Sequence, residues 1–189
     1  LYFSANHPDT GYEVWTSDGT AEGTMLFHDF SESKQVASAP VSVSEGIVHI
    51  LVVDINGRDA LWSVHSPQEG ADFVAELEVE TRNRDRVPSP ISFHGETYFV
   101  SVDDHPNSVA LWRTDSQTGG LIKITTPMLL NGTSAFYAMS ESLVLKLGNN
   151  LWSTDGTTEG TARISPNGQS VDHAPVVAND VLYYSADTS

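Results

Sequence analysis

The sequence of 189 residues predicts an all-β fold of the β-propeller type, in which similar antiparallel sheets follow one another along the chain. One phrase occurs twice, as VWTSDGTAEGT at residues 14–24 and as LWSTDGTTEGT at residues 151–161. The tryptophans recur every 40 to 50 residues. Short β-rich runs separated by turn residues fill the intervals. Repeated units of this length, with about four strands each, are typical of propeller blades.

Each tryptophan marks the third strand of one repeat and follows an aliphatic residue. The four pairs are Val14-Trp15, Leu61-Trp62, Leu111-Trp112 and Leu151-Trp152. The two middle copies, LWSVHSPQEGA and LWRTDSQTGGL, keep the tryptophan and a polar turn but have drifted elsewhere. Because one small sheet cannot bury both of its faces alone, neighbouring repeats must cover each other. A large indole ring suits that gap, so we predict that all four tryptophans are buried between repeats.

The remaining strands also recur in register with the tryptophans. First-strand runs occupy 39–46, 89–95, 134–141 and 174–180; second-strand runs occupy 1–6, 47–54, 96–104, 142–147 and 181–189; fourth-strand runs occupy 24–30, 71–80, 121–126 and 161–166. In the stretch FVAELEV, apolar residues alternate with mostly polar or small ones at a period of two. This alternation favours a strand over the helix that the composition of the stretch would allow. The predicted repeats span approximately 1–38, 39–88, 89–133 and 134–173, with a partial repeat at 174–189.

The order of these strands predicts a segment of a larger propeller. The chain opens on a second-strand run and closes on a first and a second strand without a tryptophan strand. In a closed ring of four repeats, the last second-strand run would have no position left, and open sheet edges favour aggregation. We therefore expect further repeats before residue 1, after residue 189 or both, or a second copy on the open edges.

The Asp-Gly pairs are predicted to organise the turn between the third and fourth strands. Asp18-Gly19 and Asp155-Gly156 each directly follow a tryptophan strand. Glycine accepts a positive φ, and aspartate bonds to its own backbone. A catalytic aspartate is the alternative, and the loss of the Asp-Gly pair from both middle repeats disfavours it.

The repeat resembles that of bacterial secreted and cell-surface proteins with the pattern LYFSA-D…G-ELW-SDGT--GT-L--D. Residues 1–30 match this pattern closely, residues 143–164 match its core, and residues 47–80 and 96–126 match it in outline. The resemblance implies an extracellular scaffold or recognition module that is part of a larger secreted or surface protein. It implies no defined activity, because such repeats are attached to many different proteins.

The charge of the chain limits its partners. There are 25 acidic and 9 basic residues, which give a net charge of −16. Phosphates and anionic lipids would be repelled, so we expect neither nucleic acid binding nor membrane insertion. Solubility, or adaptation to a salty medium, explains the charge as one alternative, and binding of a cation or a basic partner is the other. The absence of cysteine excludes disulfides and cysteine metal sites.

The leading function is therefore non-enzymatic, with other repeats or domains of the same protein, or a protein or glycan, as partners. A carbohydrate-active hydrolase is an alternative, because its paired carboxylates can come from different repeats. A lectin is another, with Tyr12 or Tyr98 exposed for stacking on a sugar, although aromatic residues at such positions are more often packed in the core or at a sheet edge. Familiar enzyme motifs such as the P-loop and H-E-x-x-H are absent.

Acidic residues cluster in the connections between second and third strands, which share one face of a propeller. They are Asp54, Asp59, Asp103 and Asp104, and Asn56 adds an amide oxygen beside them. Oxygen ligands at alternate positions around a glycine turn suit Ca²⁺. The stretch DINGRD is too short for an EF-hand loop and lacks its terminal glutamate, so a solvated turn is the alternative.

If this acidic patch binds Ca²⁺, millimolar CaCl₂ should raise the melting temperature of the chain, because a ligand of the folded state stabilises it. Sodium chloride of equal ionic strength is the control. Equal responses to the two salts would leave only charge screening as the cause.

Overall fold

The computed structural model describes residues 1–9, 11–28, 41–44, 47–53, 58–66, 70–80, 89–102, 108–124, 128–129, 134–167, 169–171 and 173–188. These residues form strands and the turns that join them. A helix long and apolar enough to cross a membrane is not found among them.

The strands group into successive repeats. The first contains β1 (Tyr2–His7), β2 (Gly11–Thr16) and β3 (Met25–His28); the second contains β4 (Val41–Ser44), β5 (Ile47–Val53), β6 (Arg58–Ser66) and β7 (Gly70–Glu80). The third contains β8 (Ile91–Phe93), β9 (Glu96–Val102), β10 (Ser108–Asp115), β11 (Gly120–Lys123) and β12 (Met128–Leu129). The fourth contains β13 (Ser134–Ala138), β14 (Leu143–Leu147), β15 (Asn150–Thr154), β16 (Ala162–Arg163) and β17 (Gln169–Ser170). The last strands are β18 (Val176–Ala178), β19 (Val181–Tyr183) and β20 (Asp187–Thr188).

Each sheet is an antiparallel meander in chain order. The orders are β1-β2-β3, β4-β5-β6-β7, β8-β9-β10-β11, β13-β14-β15-β16 and β18-β19. The all-β, propeller-type prediction is therefore confirmed. The two-residue strands β12 and β17 were not predicted; β12 adds to β10. The run 181–189, predicted as one strand, is divided into β19 and β20, and β20 pairs with β17 instead of continuing the hairpin.

The tryptophan occupies the same place in every repeat. Trp112 lies opposite Phe99 on the second strand, as Trp15 lies opposite Phe3 and Trp152 opposite Leu145. The outer strand is irregular beside this step: the register shifts between Val14 and Trp15 and between Leu61 and Trp62. In the fourth repeat the N–H groups of Ile164 and Ser165 both donate to the Leu151 carbonyl, at 2.8 and 3.3 Å. Such bulges increase the local twist of a sheet.

The core lies between neighbouring sheets. Between the third and fourth repeats, Tyr98, Val100 and Leu111 form one cluster with Leu143 and Leu145, and Trp152 packs against it. Between the second and third, Leu61 and Phe99 form a cluster against which Trp112 packs. Because successive side chains of a strand point to opposite faces, the tryptophan faces the preceding repeat and the aliphatic residue before it faces the following one.

The four indole rings are less enclosed than the sequence predicted. Trp15, Trp62, Trp112 and Trp152 are all partly buried. The Trp112 indole N–H donates to the Ser101 hydroxyl at 2.8 Å, and the Lys123 ammonium lies 5.4 Å from the ring centre. Each tryptophan is therefore covered only in part, although the indole nitrogens of Trp15 and Trp62 are themselves buried.

Replacing Trp152 by alanine should lower the free energy of unfolding by about 3 kcal/mol, because the ring fills space between two repeats. Urea denaturation followed by circular dichroism measures this loss. Tyr184→Ala, at a more exposed aromatic residue, is the control and should cost less. A loss below about 1 kcal/mol for Trp152→Ala would mean that the ring is not part of the core.

Candidate functional site

The turns at one end of the sheets contain many of the side-chain hydrogen bonds of the described residues. Because consecutive strands are antiparallel, the connections from first to second strand and from third to fourth strand leave the sheet at the same end. We call this end the turn face. It contains both copies of the SDGT or TDGT sequence.

The two copies of the repeated phrase fold into the same loop. Asp18 Oδ1 accepts hydrogen bonds from the Thr20 N–H at 2.9 Å and the Thr20 hydroxyl at 2.8 Å. Asp155 Oδ1 accepts the same two bonds from Thr157, at the same distances. The connection runs over residues 17–24 in one copy and 155–161 in the other, so it is a longer loop than the two-residue Asp-Gly hairpin.

Two glycines are required in each loop, for different reasons. Gly19 and Gly156 have φ angles of +99° and +94°, a region that side chains rarely adopt. Gly23 and Gly160 are needed for space, because a Cβ built at either position would overlap the aspartate carboxylate of its own loop. The sequence pattern located the second glycine but not this reason for it.

Hydrogen bonds keep the loop aspartates ionised. The bonds from the backbone and hydroxyl of Thr20 lower the pKa of Asp18, and those from the hydroxyl and backbone of Thr157 lower the pKa of Asp155. Both carboxylates are exposed, and each uses Oδ1 to hold its own loop. Their geometry is that of a structural turn.

The third repeat replaces the Asp-Gly pair with a different network. Asp115 accepts hydrogen bonds from the Gln117 N–H at 3.1 Å and the Thr118 hydroxyl at 2.7 Å. Glu96 on β9 accepts from the hydroxyls of Thr114 and Ser116, at 2.7 and 2.6 Å. Sequence reasoning missed Glu96, because its partners lie 18 and 20 residues along the chain and no repeated motif marks it.

The loop of the fourth repeat is anchored on the third repeat. The Arg113 Nε–H donates to the Gly156 carbonyl at 3.0 Å, and the Thr158 hydroxyl donates to the Ile124 carbonyl. A Cβ built at Gly156 would overlap the Tyr98 hydroxyl. The Arg113 guanidinium also lies 3.9 Å from the Glu96 carboxylate. Gly156 therefore joins two repeats, whereas a Cβ built at Gly19 would have nothing within 4 Å.

The turns between first and second strands are linked to one another. His94-Gly95 and Asn179-Asp180 are two-residue turns in which all four φ angles are positive, as type I′ hairpins require. The His94 ring nitrogen Nε2 lies 2.9 Å from the Ser140 carbonyl, and the Ser140 N–H donates to Asp180 Oδ1 at 2.6 Å. Turns of three successive repeats thus form one hydrogen-bonded row.

The proposed cation patch falls mostly outside the described residues. Asp54, Asn56, Asp103 and Asp104 lie there, and Asp59 is described only as part of the backbone of β6. In the part of the chain that the structure describes, no group of three or more histidine, aspartate or glutamate residues is arranged to hold a metal ion. The patch therefore remains a prediction.

The two tyrosines proposed for sugar stacking do not form an exposed pair. Tyr98 is buried in the core between the third and fourth repeats, and burial raises the pKa of its hydroxyl. Tyr98 is therefore a core residue and is not available for stacking on a sugar, since the next repeat covers the face of β9 that carries it. Tyr12 lies in β2, and the structure describes only its backbone.

Gly156→Ala should destabilise the chain more than Gly19→Ala. Both changes force a side chain into a positive-φ position, at about 1–2 kcal/mol. Only Gly156→Ala also drives a methyl group into Tyr98, which should add roughly 1–3 kcal/mol. Urea denaturation of both variants measures the difference.

The same pair of variants in a Tyr98→Phe background is the control for this contact. Removing the hydroxyl should shrink the additional loss at Gly156 and leave the loss at Gly19 unchanged. Equal losses at the two glycines in the Tyr98 background would show that the loop does not depend on its neighbour.

Comparison with known proteins places the fold but not the family. No family model matches the chain, and no curated protein matches its sequence. Among solved structures it is similar to TolB from Acinetobacter baumannii, with 9% identity, a TM-score of 0.60, and coverage of 90% of this chain and 43% of that chain. It is also similar to the β-propeller domain of the Trilobed protease from Pyrococcus furiosus, with 7% identity, a TM-score of 0.55, and coverage of 90% and 54%. The chain spans about half the length of these structures, and at such low identity the similarity shows the fold alone: this is a β-propeller module.

Proposed function

We propose that the chain is a non-enzymatic recognition or scaffold module that forms part of a larger secreted or cell-surface protein. The main support for the proposal is that the carboxylates on the turn face accept hydrogen bonds from the turns in which they lie. Asp18, Asp115, Asp155 and Glu96 each accept hydrogen bonds that hold a turn in place. These four carboxylates therefore have a structural role, which is to hold the turns at the surface.

The ionisation of these groups supports a structural role. A hydrolase needs one carboxyl group that stays protonated near neutral pH, so that it can donate a proton. Burial acts to raise the pKa of Glu96, but hydrogen bonds from Ser116 and Thr114 and the charge of Arg113 leave it lowered. Hydrogen bonds also lower the pKa values of Asp18, Asp115 and Asp155. Each of these groups is a poor proton donor at neutral pH.

The loops suit recognition because their shape is set locally. Both copies of the phrase hold the same hydrogen bonds, although one is covered by a neighbouring repeat and the other is open. A loop that is ordered before binding loses little conformational freedom when a partner docks. With a net charge of −16, the module is expected to favour a basic protein surface or a neutral glycan over an anionic partner.

The repeat pattern supports the proposed extracellular location, because it resembles that of secreted and surface proteins of bacteria. A chain without cysteine must hold its loops by other means. The described loops do so with threonine and serine hydroxyls around an aspartate. Such a network is insensitive to the redox state of the compartment.

Protease treatment of intact cells tests the proposed location. Cells that produce the protein are exposed to an external protease, and the chain is followed with an antibody. We expect the chain to be cleaved on intact cells or recovered from the medium, while a cytoplasmic marker stays whole. A chain that becomes accessible only after lysis would contradict the proposal.

A further inference from the structure

The loop between the third and fourth strands contains a chemically reactive pair of residues. In an Asp-Gly pair the aspartate side chain can close on the backbone, because glycine has no side chain to shield its nitrogen. The chain contains this pair twice, at Asp18-Gly19 and at Asp155-Gly156. Glycine is needed at both positions, since the two φ angles are +99° and +94°. The loop therefore cannot avoid the reactive pair by replacing its glycine.

Ring closure at such a pair converts aspartate to isoaspartate in two steps. The glycine nitrogen attacks Cγ of the protonated carboxyl group, an N–Cγ bond forms, and the amide proton leaves with the carboxyl hydroxyl as water. Water then opens the cyclic imide at one of its two carbonyl groups, which restores aspartate or leaves the backbone running through Cβ. The first step requires nitrogen and Cγ to reach a near-attack geometry. It also requires a neutral carboxyl group, because a carboxylate has no hydroxyl to lose as water.

The loop of the fourth repeat holds the carboxylate in a different position. Asp155 Oδ1 accepts hydrogen bonds from the Thr157 N–H at 2.9 Å and from the Thr157 hydroxyl at 2.8 Å. Gly160 lies directly against the same carboxylate, because a Cβ built at Gly160 would overlap it. The bonds from Thr157 also lower the pKa of Asp155. The carboxyl group is therefore ionised at neutral pH and is fixed on the side of Thr157.

The same loop also holds the attacking nitrogen. The Gly156 N–H donates to the Thr154 hydroxyl oxygen at 3.0 Å, and this hydroxyl is bonded to the Thr161 hydroxyl at 2.7 Å. Both Thr154 and Gly156 are buried. Turning the peptide plane toward Cγ would break a hydrogen bond between buried groups, which is unfavourable. The hydroxyl residue before the pair thus restrains the nitrogen, and the threonine after it restrains the carboxylate.

The loop of the first repeat contains every one of these contacts. Asp18 Oδ1 accepts from the Thr20 N–H at 2.9 Å and from the Thr20 hydroxyl at 2.8 Å, and these bonds lower the pKa of Asp18. The Gly19 N–H donates to the Ser17 hydroxyl oxygen at 3.0 Å. Gly23 lies against the carboxylate as Gly160 does. Both copies of the phrase therefore restrain the nitrogen and the carboxylate in the same way.

We propose that Asp18-Gly19 and Asp155-Gly156 are two sites of isoaspartate formation that their own loops keep unreactive. Isoaspartate at either site would lengthen the backbone by one carbon atom and move the carboxylate away from the threonine that binds it. At the second site it would also displace Gly156 from Tyr98 and from Arg113. The modification would therefore open the contact between the third and fourth repeats.

Two matched variants test the proposal, because each alters one loop and leaves the other as an internal control. Thr20→Val and Thr157→Val each remove the hydroxyl that binds the aspartate of their own loop. The wild-type chain and both variants are kept for several weeks at about pH 6, and isoaspartate at each site is measured by peptide mapping. Synthetic peptides of residues 14–24 and 151–161 give the unrestrained rates.

We expect the wild-type chain to form isoaspartate at both sites far more slowly than the two peptides do. Thr157→Val should raise the rate at Asp155 about tenfold and leave the rate at Asp18 unchanged, because one hydrogen bond to a charged group is lost in one loop. Thr20→Val should do the reverse. Thr157→Ser keeps the hydroxyl and should keep the wild-type rate.

A further pair of variants separates the bonds within the loop from its contact with the third repeat. The Thr158 hydroxyl donates to the Ile124 carbonyl, so Thr158→Val should leave the rate at Asp155 close to that of the wild type. Ser17→Ala removes the acceptor of the Gly19 N–H and should raise the rate at Asp18 alone.

Two results would overturn the proposal. Wild-type rates equal to those of the peptides would show that the folded loops give no protection. Equal rates in the wild type and in both valine variants, all shown to be folded by circular dichroism, would mean that the threonine hydroxyls do not protect the pair. If Thr157→Val speeds up both sites, the variant has lost its fold, and Thr20→Val at an exposed residue decides: a rise at Asp18 alone supports the proposal, and no rise overturns it.

Discussion

The structure depends on one step of the third strand, where an aliphatic residue is followed by tryptophan. Because consecutive side chains point to opposite faces of a sheet, this step gives each repeat a contact on both sides. Leu111 packs toward the fourth repeat while Trp112 packs toward the second, and Leu151 and Trp152 repeat the arrangement one sheet later. In the first and second repeats the register of the outer strand shifts beside this step, and such bulges increase the local twist of the sheet. A repeat that lost either side chain would leave one neighbour uncovered.

The position of the loops follows from that core. The third strand of the fourth repeat ends at Thr154, directly after the buried step, so the next residues emerge over the edge of the third repeat. There Gly156 reaches Tyr98, and Arg113 bonds to the Gly156 carbonyl. This polar contact lies at the rim of the apolar cluster that contains Tyr98. The hydrogen bonds inside the loop thus set its geometry, and the contacts with Tyr98 and Arg113 hold it on the third repeat.

Much of this architecture was predictable from the sequence, because strand alternation and the tryptophan spacing are local signals. In the four repeats, the first, second and fourth strands lie within the runs predicted for them or end within two residues of those runs. Strands β9 (Glu96–Val102) and β14 (Leu143–Leu147) are examples. The short strands β12 and β17 were missed, because two residues carry no periodicity. The Glu96 network was missed because its partners are distant in sequence. The degree of burial of the tryptophans was overestimated, since recurrence gives a position in the repeat and not the width of the gap around the ring.

The repeated phrase forms the same hydrogen bonds in both loops, but the two loops have different neighbours. In both copies the aspartate accepts the same pair of bonds from threonine, and the second glycine meets the carboxylate in the same way. The surroundings differ, because a Cβ at Gly156 would overlap the Tyr98 hydroxyl whereas a Cβ at Gly19 would have nothing within 4 Å. The loop is therefore folded by its own residues and does not need its neighbour to take shape. The same loop therefore closes a contact between two repeats at one position of this chain and is open to solvent at the other.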